Sequence, residues 1–71
     1  MKLPQMSGKT LIKKLRKMGF VVVRQKGSHI RLEKNTKEGT IKITVPNHKV
    51  LKKGTLHRII KDAGLKEEDL L

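Results

Sequence analysis

The chain has no cysteine, tryptophan or tyrosine, a single phenylalanine, and only 6 acidic residues among its 71. Without cysteine there is neither a disulfide framework nor a thiolate zinc site, so one thin core must hold the fold together. A domain of this length buries only about 60 % of its unfolded surface, which leaves little room for a deep cleft or a large cofactor such as a dinucleotide. With 35 % apolar residues and no run near the ~18 needed to cross a bilayer, no membrane span is expected. No short apolar stretch near Met1 leads into a small-residue cleavage site, so the chain reads as soluble and unprocessed. The shortage of aromatics excludes a base-stacking platform, because single-strand binders and sheet-faced RNA readers stack bases on Phe, Tyr or Trp. What remains for nucleic-acid recognition is contact with backbone, 2′-hydroxyl and shape through Lys, Arg, His and main-chain amides.

What the chain does have is positive charge. The 18 Lys and Arg exceed the acidic residues by 12, and the excess is uneven. Residues 1–61 carry 17 cations against Glu33 and Glu38, whereas 62–71 carry Asp62, Glu67, Glu68 and Asp69 against Lys66. A basic body raises encounter rates with polyanions at the expense of self-repulsion, which points to a nucleic acid as partner. A thermophile's charged surface would pair its lysines with glutamates, yet Lys9, Lys13, Lys14, Arg16 and Lys17 have no acidic residue among them.

Periodicity divides the chain into five elements. Ser7 is placed to cap a helix whose apolar face is Leu11, Ile12, Leu15 and Met18, with Gly19 beyond its end. Its other face carries Lys9, Lys13, Arg16 and Lys17, a repulsive stripe unless something anionic meets it. Phe20 to Lys26 is β-branched and runs into Gly27, which predicts a strand and a tight turn. Ile30 and Leu32 alternate with His29, Arg31 and Glu33, and Ile41, Ile43 and Val45 with Thr40, Lys42 and Thr44, up to Pro46. A polar turn over residues 35–39 separates these two strands. Residues 47–53 form a basic connection, with Val50 and Leu51 expected as core anchors. Leu56, Ile59, Ile60 and Ala63 mark a second helix closed by Gly64, and residues 65–71 one further helical turn with Leu70 packing back. The expectation is a single domain over 1–71: a small α+β sandwich of order α-β-β-β-α, resembling the double-stranded-RNA-binding domain. Its three-stranded antiparallel meander would carry both helices on one face, leaving His29, Arg31, Lys42 and Thr44 on the other.

Two motifs are set aside. Gly8-Lys9-Thr10 lacks both the earlier glycine and the preceding strand of a phosphate loop. His29, His48 and His57 have no i,i+4 partner, no cysteine and few carboxylates nearby, so no metal site is expected. His29 has a distinct setting, directly after Gly27-Ser28 at the start of a strand. Gly27 lets a sugar-phosphate backbone approach, and the turn amides or the Ser28 hydroxyl can hold a phosphate oxygen. An imidazole, with a reference pKa of about 6.5, can take a proton from a 2′-hydroxyl, a role worth about 10²–10⁴ in rate. The residues by themselves leave the plainer reading open, and favour it: a turn followed by a structural strand histidine.

Gly19-Phe20, Val23-Arg24-Gln25-Lys26-Gly27-Ser28-His29, Thr44-Val45-Pro46-Asn47-His48, Leu51-Lys52-Lys53-Gly54-Thr55-Leu56, Ile60 and Ala63-Gly64-Leu65 together resemble the HicA (YcfA-like) mRNA interferase toxins, over about Ser7 to Leu70. The resemblance implies a cytoplasmic, metal-independent endoribonuclease without cofactor, blocked by a HicB-type antitoxin and meeting DNA only through that antitoxin. It makes His29 the catalytic residue, with Gly27, Ser28 and His48 supporting. RNA is expected on Arg24, Lys26, Arg31, Lys49, Lys52 and Lys53. The alternatives are a non-catalytic RNA-binding module, with the same basic surface, and a subunit whose basic face serves only an acidic partner protein.

Overall fold

The computed structural model describes residues 5–70. In chain order they form α1 (Gly8–Lys17), β1 (Val21–Lys26), β2 (His29–Thr36), β3 (Gly39–Pro46), α2 (Lys53–Asp62) and a 3₁₀ turn (Glu67–Leu70). The strands make one antiparallel sheet in the order β1-β2-β3, so the α+β fold and its element order are those the periodicity predicts.

Each boundary has a local cause. The Ser7 hydroxyl accepts from the Thr10 amide at 3.1 Å and caps α1, and Gly19, at φ 102°, takes the left-handed turn that ends it. Gly27, at φ 59°, opens a two-residue hairpin in which Lys26 pairs with His29. A positive φ at the first central position of such a turn is the arrangement that favours glycine there. The second hairpin is tighter than the sequence pattern suggests, because β2 and β3 continue until Thr36 pairs with Gly39. The Thr36 hydroxyl accepts from the Glu38 amide at 3.2 Å and donates to the Gly39 carbonyl at 2.7 Å, and the Thr40 hydroxyl donates to Asn35 Oδ1 at 3.0 Å. These bonds turn the expected five-residue loop into strand ends joined through Lys37 and Glu38.

Both helices pack against β3, and one core joins the two layers. Leu11 and Leu15 from α1 meet Ile30, Leu32, Ile43 and Val45 from the sheet and Leu56, Ile59 and Ile60 from α2. Phe20, expected within the first strand, precedes it and is buried in this core. Leu70 folds back from the 3₁₀ turn and is also buried; Leu71 lies outside the described residues. One expected anchor is corrected. Leu51 is buried at 3 % exposure, whereas Val50 is 55 % exposed. The Leu51 amide donates to the Met6 carbonyl at 2.9 Å, which turns that side chain inward and its neighbour outward.

β1 is the uncovered edge. It forms as predicted, yet every residue in it is exposed, including Val21, Val22 and Val23. Its substantial contacts are with β2 alone, since the helices lie over β3. Its β-branched composition therefore satisfies the extended backbone without supplying core.

Candidate active site

His29 is the first residue of β2 and pairs with Lys26 on one side and Pro46 on the other. Residues directly opposite in an antiparallel pair project to the same face. Ile30 and Leu32 face the helices, so His29, Arg31, Lys42, Thr44 and Pro46 share the opposite face, as the alternation predicts.

Arg24 and Lys26 reach that face by a route the sequence does not announce. Val22 pairs with Leu32, on the helix side; strict alternation would place Arg24 and Lys26 on that side too. The register shifts between Val22 and Arg24, and the extra residue brings Arg24 opposite Arg31 and Lys26 opposite His29. This is the geometry of a β-bulge, which re-aims the residues after it. The result is a depression of about 210 Å³ lined by Arg24, Lys26, His29, Arg31 and Thr44. His29 also borders a second hollow, of about 390 Å³, between the β3 edge and α2, where Thr55, Arg58 and Asp62 stand on the wall.

The hairpin carrying His29 is tied down on both sides. Gln25 Nε2 donates to the Gly27 carbonyl at 3.2 Å, and the Asn47 amide donates to the Ser28 carbonyl at 2.6 Å. Gly27, Ser28 and His29 are themselves exposed, so a polymer can reach the imidazole without any opening of the fold.

The other expected residues disperse. The His48 carbonyl accepts from the Gly8 amide at 2.9 Å, and His48 and Lys49 line a separate depression with Ser7, Lys9 and Asn47. Lys52 and Lys53 are exposed at the start of α2 and line neither hollow beside His29. Thr44, Arg58 and Asp62 were absent from the sequence-derived site. Thr44 was legible as a member of the face, but the two α2 residues lie near His29 only through tertiary packing.

Charge around the site is almost unopposed. Among the described residues the carboxylate pairs within 4.0 Å are His57 Nδ1 to Glu67 Oε1 at 3.1 Å and Arg58 Nε to Asp62 Oδ2 at 3.9 Å. Neither neutralises Arg24, Lys26 or Arg31, nor any cation of α1. On α1, Lys9 with Lys13 and Lys13 with Lys17 are like charges at i,i+4, each pair opposing the helix by about 0.2–0.5 kcal/mol. Among the described residues no three of His, Cys, Asp and Glu gather as a metal set, and no helix is long and apolar enough to cross a membrane.

No curated protein matches the chain. The family model described as the HicA toxin of bacterial toxin–antitoxin matches residues 8–65, from the first residue of α1 to the residue after Gly64, thus taking in both helices, the whole sheet and the His29 hairpin. With a fold of the expected order beneath that match, the chain belongs to the HicA toxin family.

Proposed function

We propose that this toxin is a metal-independent endoribonuclease that cleaves mRNA at His29 and is neutralised in the cytoplasm by a HicB-type antitoxin. The observation that carries the reading is the exposed imidazole of His29 in one depression with Arg24, Lys26 and Arg31. Three cations there suit a phosphodiester and the negative charge that grows on it during substitution at phosphorus. His29 takes the proton from a 2′-hydroxyl as the O2′–P bond forms and the P–O5′ bond breaks; the departing oxygen is protonated from Lys26, water or the imidazolium. The requirement for a 2′-hydroxyl makes RNA, and not DNA, the substrate, with DNA met only through the antitoxin. Gly27 and Ser28 keep the approach to the phosphate open. His48, Lys49, Lys52 and Lys53 support binding from outside the depression.

The antitoxin is expected to cover His29, since occluding an exposed site is the simplest way to silence it. A non-catalytic RNA-binding module has the same cations and differs in one respect, namely that it leaves RNA intact.

The test is a time course of purified protein with single-stranded RNA in EDTA, beside His29→Ala and His29→Gln prepared identically. Cleavage by the parent alone supports the reading. Intact RNA in all samples with binding retained identifies the non-catalytic module, and equal cleavage in all of them removes His29 from the chemistry.

A further inference from the structure

We propose that the bound RNA does not stop at the His29 face but turns around the end of the molecule onto the outer face of α1, where Lys9, Lys13 and Arg16 hold its phosphates. The proposal rests on the ribonuclease reading and extends the site to a surface on the other side of the fold.

Three depressions mark the path. The one at His29 holds Arg24, Lys26 and Arg31. The next, about 270 Å³, lies at the end of the fold and holds Lys9, Asn47, His48 and Lys49. The third, about 320 Å³, lies along α1 and is lined by Lys9, Thr10, Ile12, Lys13 and Arg16. Lys9 belongs to both of the last two. The first two are joined by backbone, because the Asn47 amide is bonded to the Ser28 carbonyl at 2.6 Å, and α1 is fixed to the same loop by the Gly8 amide on the His48 carbonyl at 2.9 Å. Cations therefore continue from the sheet face, over the connection and onto the helix, without a carboxylate paired to any of them among the described residues.

The lining identifies the occupant. Ile12 is the one apolar side chain in the α1 depression, too little for a protein partner's apolar anchor, whereas spaced Lys and Arg suit successive phosphates. α1 also has no acidic residue in its first turn, where a carboxylate would favour the helix dipole and Lys9 opposes it; an anion lying there relieves both that and the repulsion along the stripe. The path turns through a body whose shortest extent is 19 Å. A double helix is stiff over far longer distances, about 50 nm for DNA, and does not bend so sharply, so the ligand is single-stranded RNA. Crossing that thickness takes several nucleotides of an extended single strand.

The test measures binding of fluorescent single-stranded RNA against salt, in a His29→Ala background so that the probe stays intact. The variant is Lys9→Gln with Lys13→Gln and Arg16→Gln; the charge-matched control is Lys37→Gln with Lys61→Gln and Lys66→Gln, none of which lines any of the three depressions. Circular dichroism confirms that α1 persists in both. With a probe of about 12 nucleotides, loss of three contacts at about 0.7 each lowers the slope of log affinity on log salt by about 2, and the control changes it little. This long probe binds the parent one to one; two strands per protein, one on each face, would overturn the continuous path. Equal slopes for variant and control on the long probe overturn the proposal, as does loss of antitoxin binding in the variant with its RNA slope intact. If protein retaining His29 neither binds nor cuts single-stranded RNA, the ribonuclease reading falls as well; if it does both while the slopes stay equal, only the extended path falls.

Discussion

Replacing Gly8 with alanine sets two effects of opposite sign against each other. Gly8 is the first residue of α1 and is buried; alanine there favours the helix by up to about 1 kcal/mol. A methyl group at Gly8 would overlap the Pro46 carbonyl oxygen, with the Asn47 Cα and the Pro46 carbonyl carbon both at 3.1 Å. These are backbone atoms at the end of β3, so they cannot swing aside as a flexible side chain would. Forcing a methylene into such a contact costs about 1–3 kcal/mol. Separating the helix from the loop also weakens the bond from the Gly8 amide to the His48 carbonyl, worth about 0.5–1.5 kcal/mol net. The expected balance is a loss of about 1–3 kcal/mol. For 71 residues at about 2.1 cal/mol/K each, the unfolding entropy is about 0.15 kcal/mol/K, so Tm should fall by about 7–20 °C. Gly54→Ala is the matched control, since nothing lies within 4 Å of its added methyl; it should gain about 0.4–1 kcal/mol. Thermal and urea unfolding followed by circular dichroism measure both. Gly8→Ala as stable as the parent would refute the packing of α1 on the 46–48 backbone, and with it the continuity between the His29 hairpin and the helix.

Other substitutions probe separate parts of the fold. Gly27→Ala should cost about 1–2 kcal/mol from its left-handed φ of 59°, and Gly27→Asn less, because open space surrounds the position and only the backbone conformation objects; comparison of their urea midpoints decides this. Leu32→Ala, at a fully buried position, should lose about 2–5 kcal/mol, whereas Val23→Thr on the exposed β1 should stay within about 0.5 kcal/mol, both read by urea unfolding. Leu70→Ala should cost about 2–5 kcal/mol if the acidic tail is held by that buried side chain, and unchanged stability would show that the 3₁₀ turn is not docked in solution.

The element order was legible because each element carries its own period: Leu11 and Leu15 at helical spacing, Ile30 and Leu32 and then Ile41, Ile43 and Val45 at strand spacing, Leu56, Ile59 and Ile60 again at helical spacing. The glycines at 19, 27 and 64 punctuated these runs, and the basic composition pointed toward a polyanion as the expected partner. His29 was legible through its position after Gly27-Ser28, and gained its catalytic assignment from family resemblance, because neither periodicity nor charge distinguishes a reactive histidine from a structural one.

Packing decided the rest. The valines of β1 make a strand by composition and lie at an uncovered edge, because the two helices pack over β3 and leave β1 little to bury against. His48 stands close to Pro46 in sequence, yet lines a different depression from His29, because the chain turns there to meet Gly8. Arg58 and Asp62 border His29 only because α2 packs beside β3. Sequence by itself determined which segments are helix and strand and that the surface is cationic, since those properties reside in local spacing and composition. The assembly of Arg24 and Lys26 with His29 depended on the one-residue shift in pairing between Val22 and Arg24, a property of two strands together, for which a single strand's alternation carries no sign.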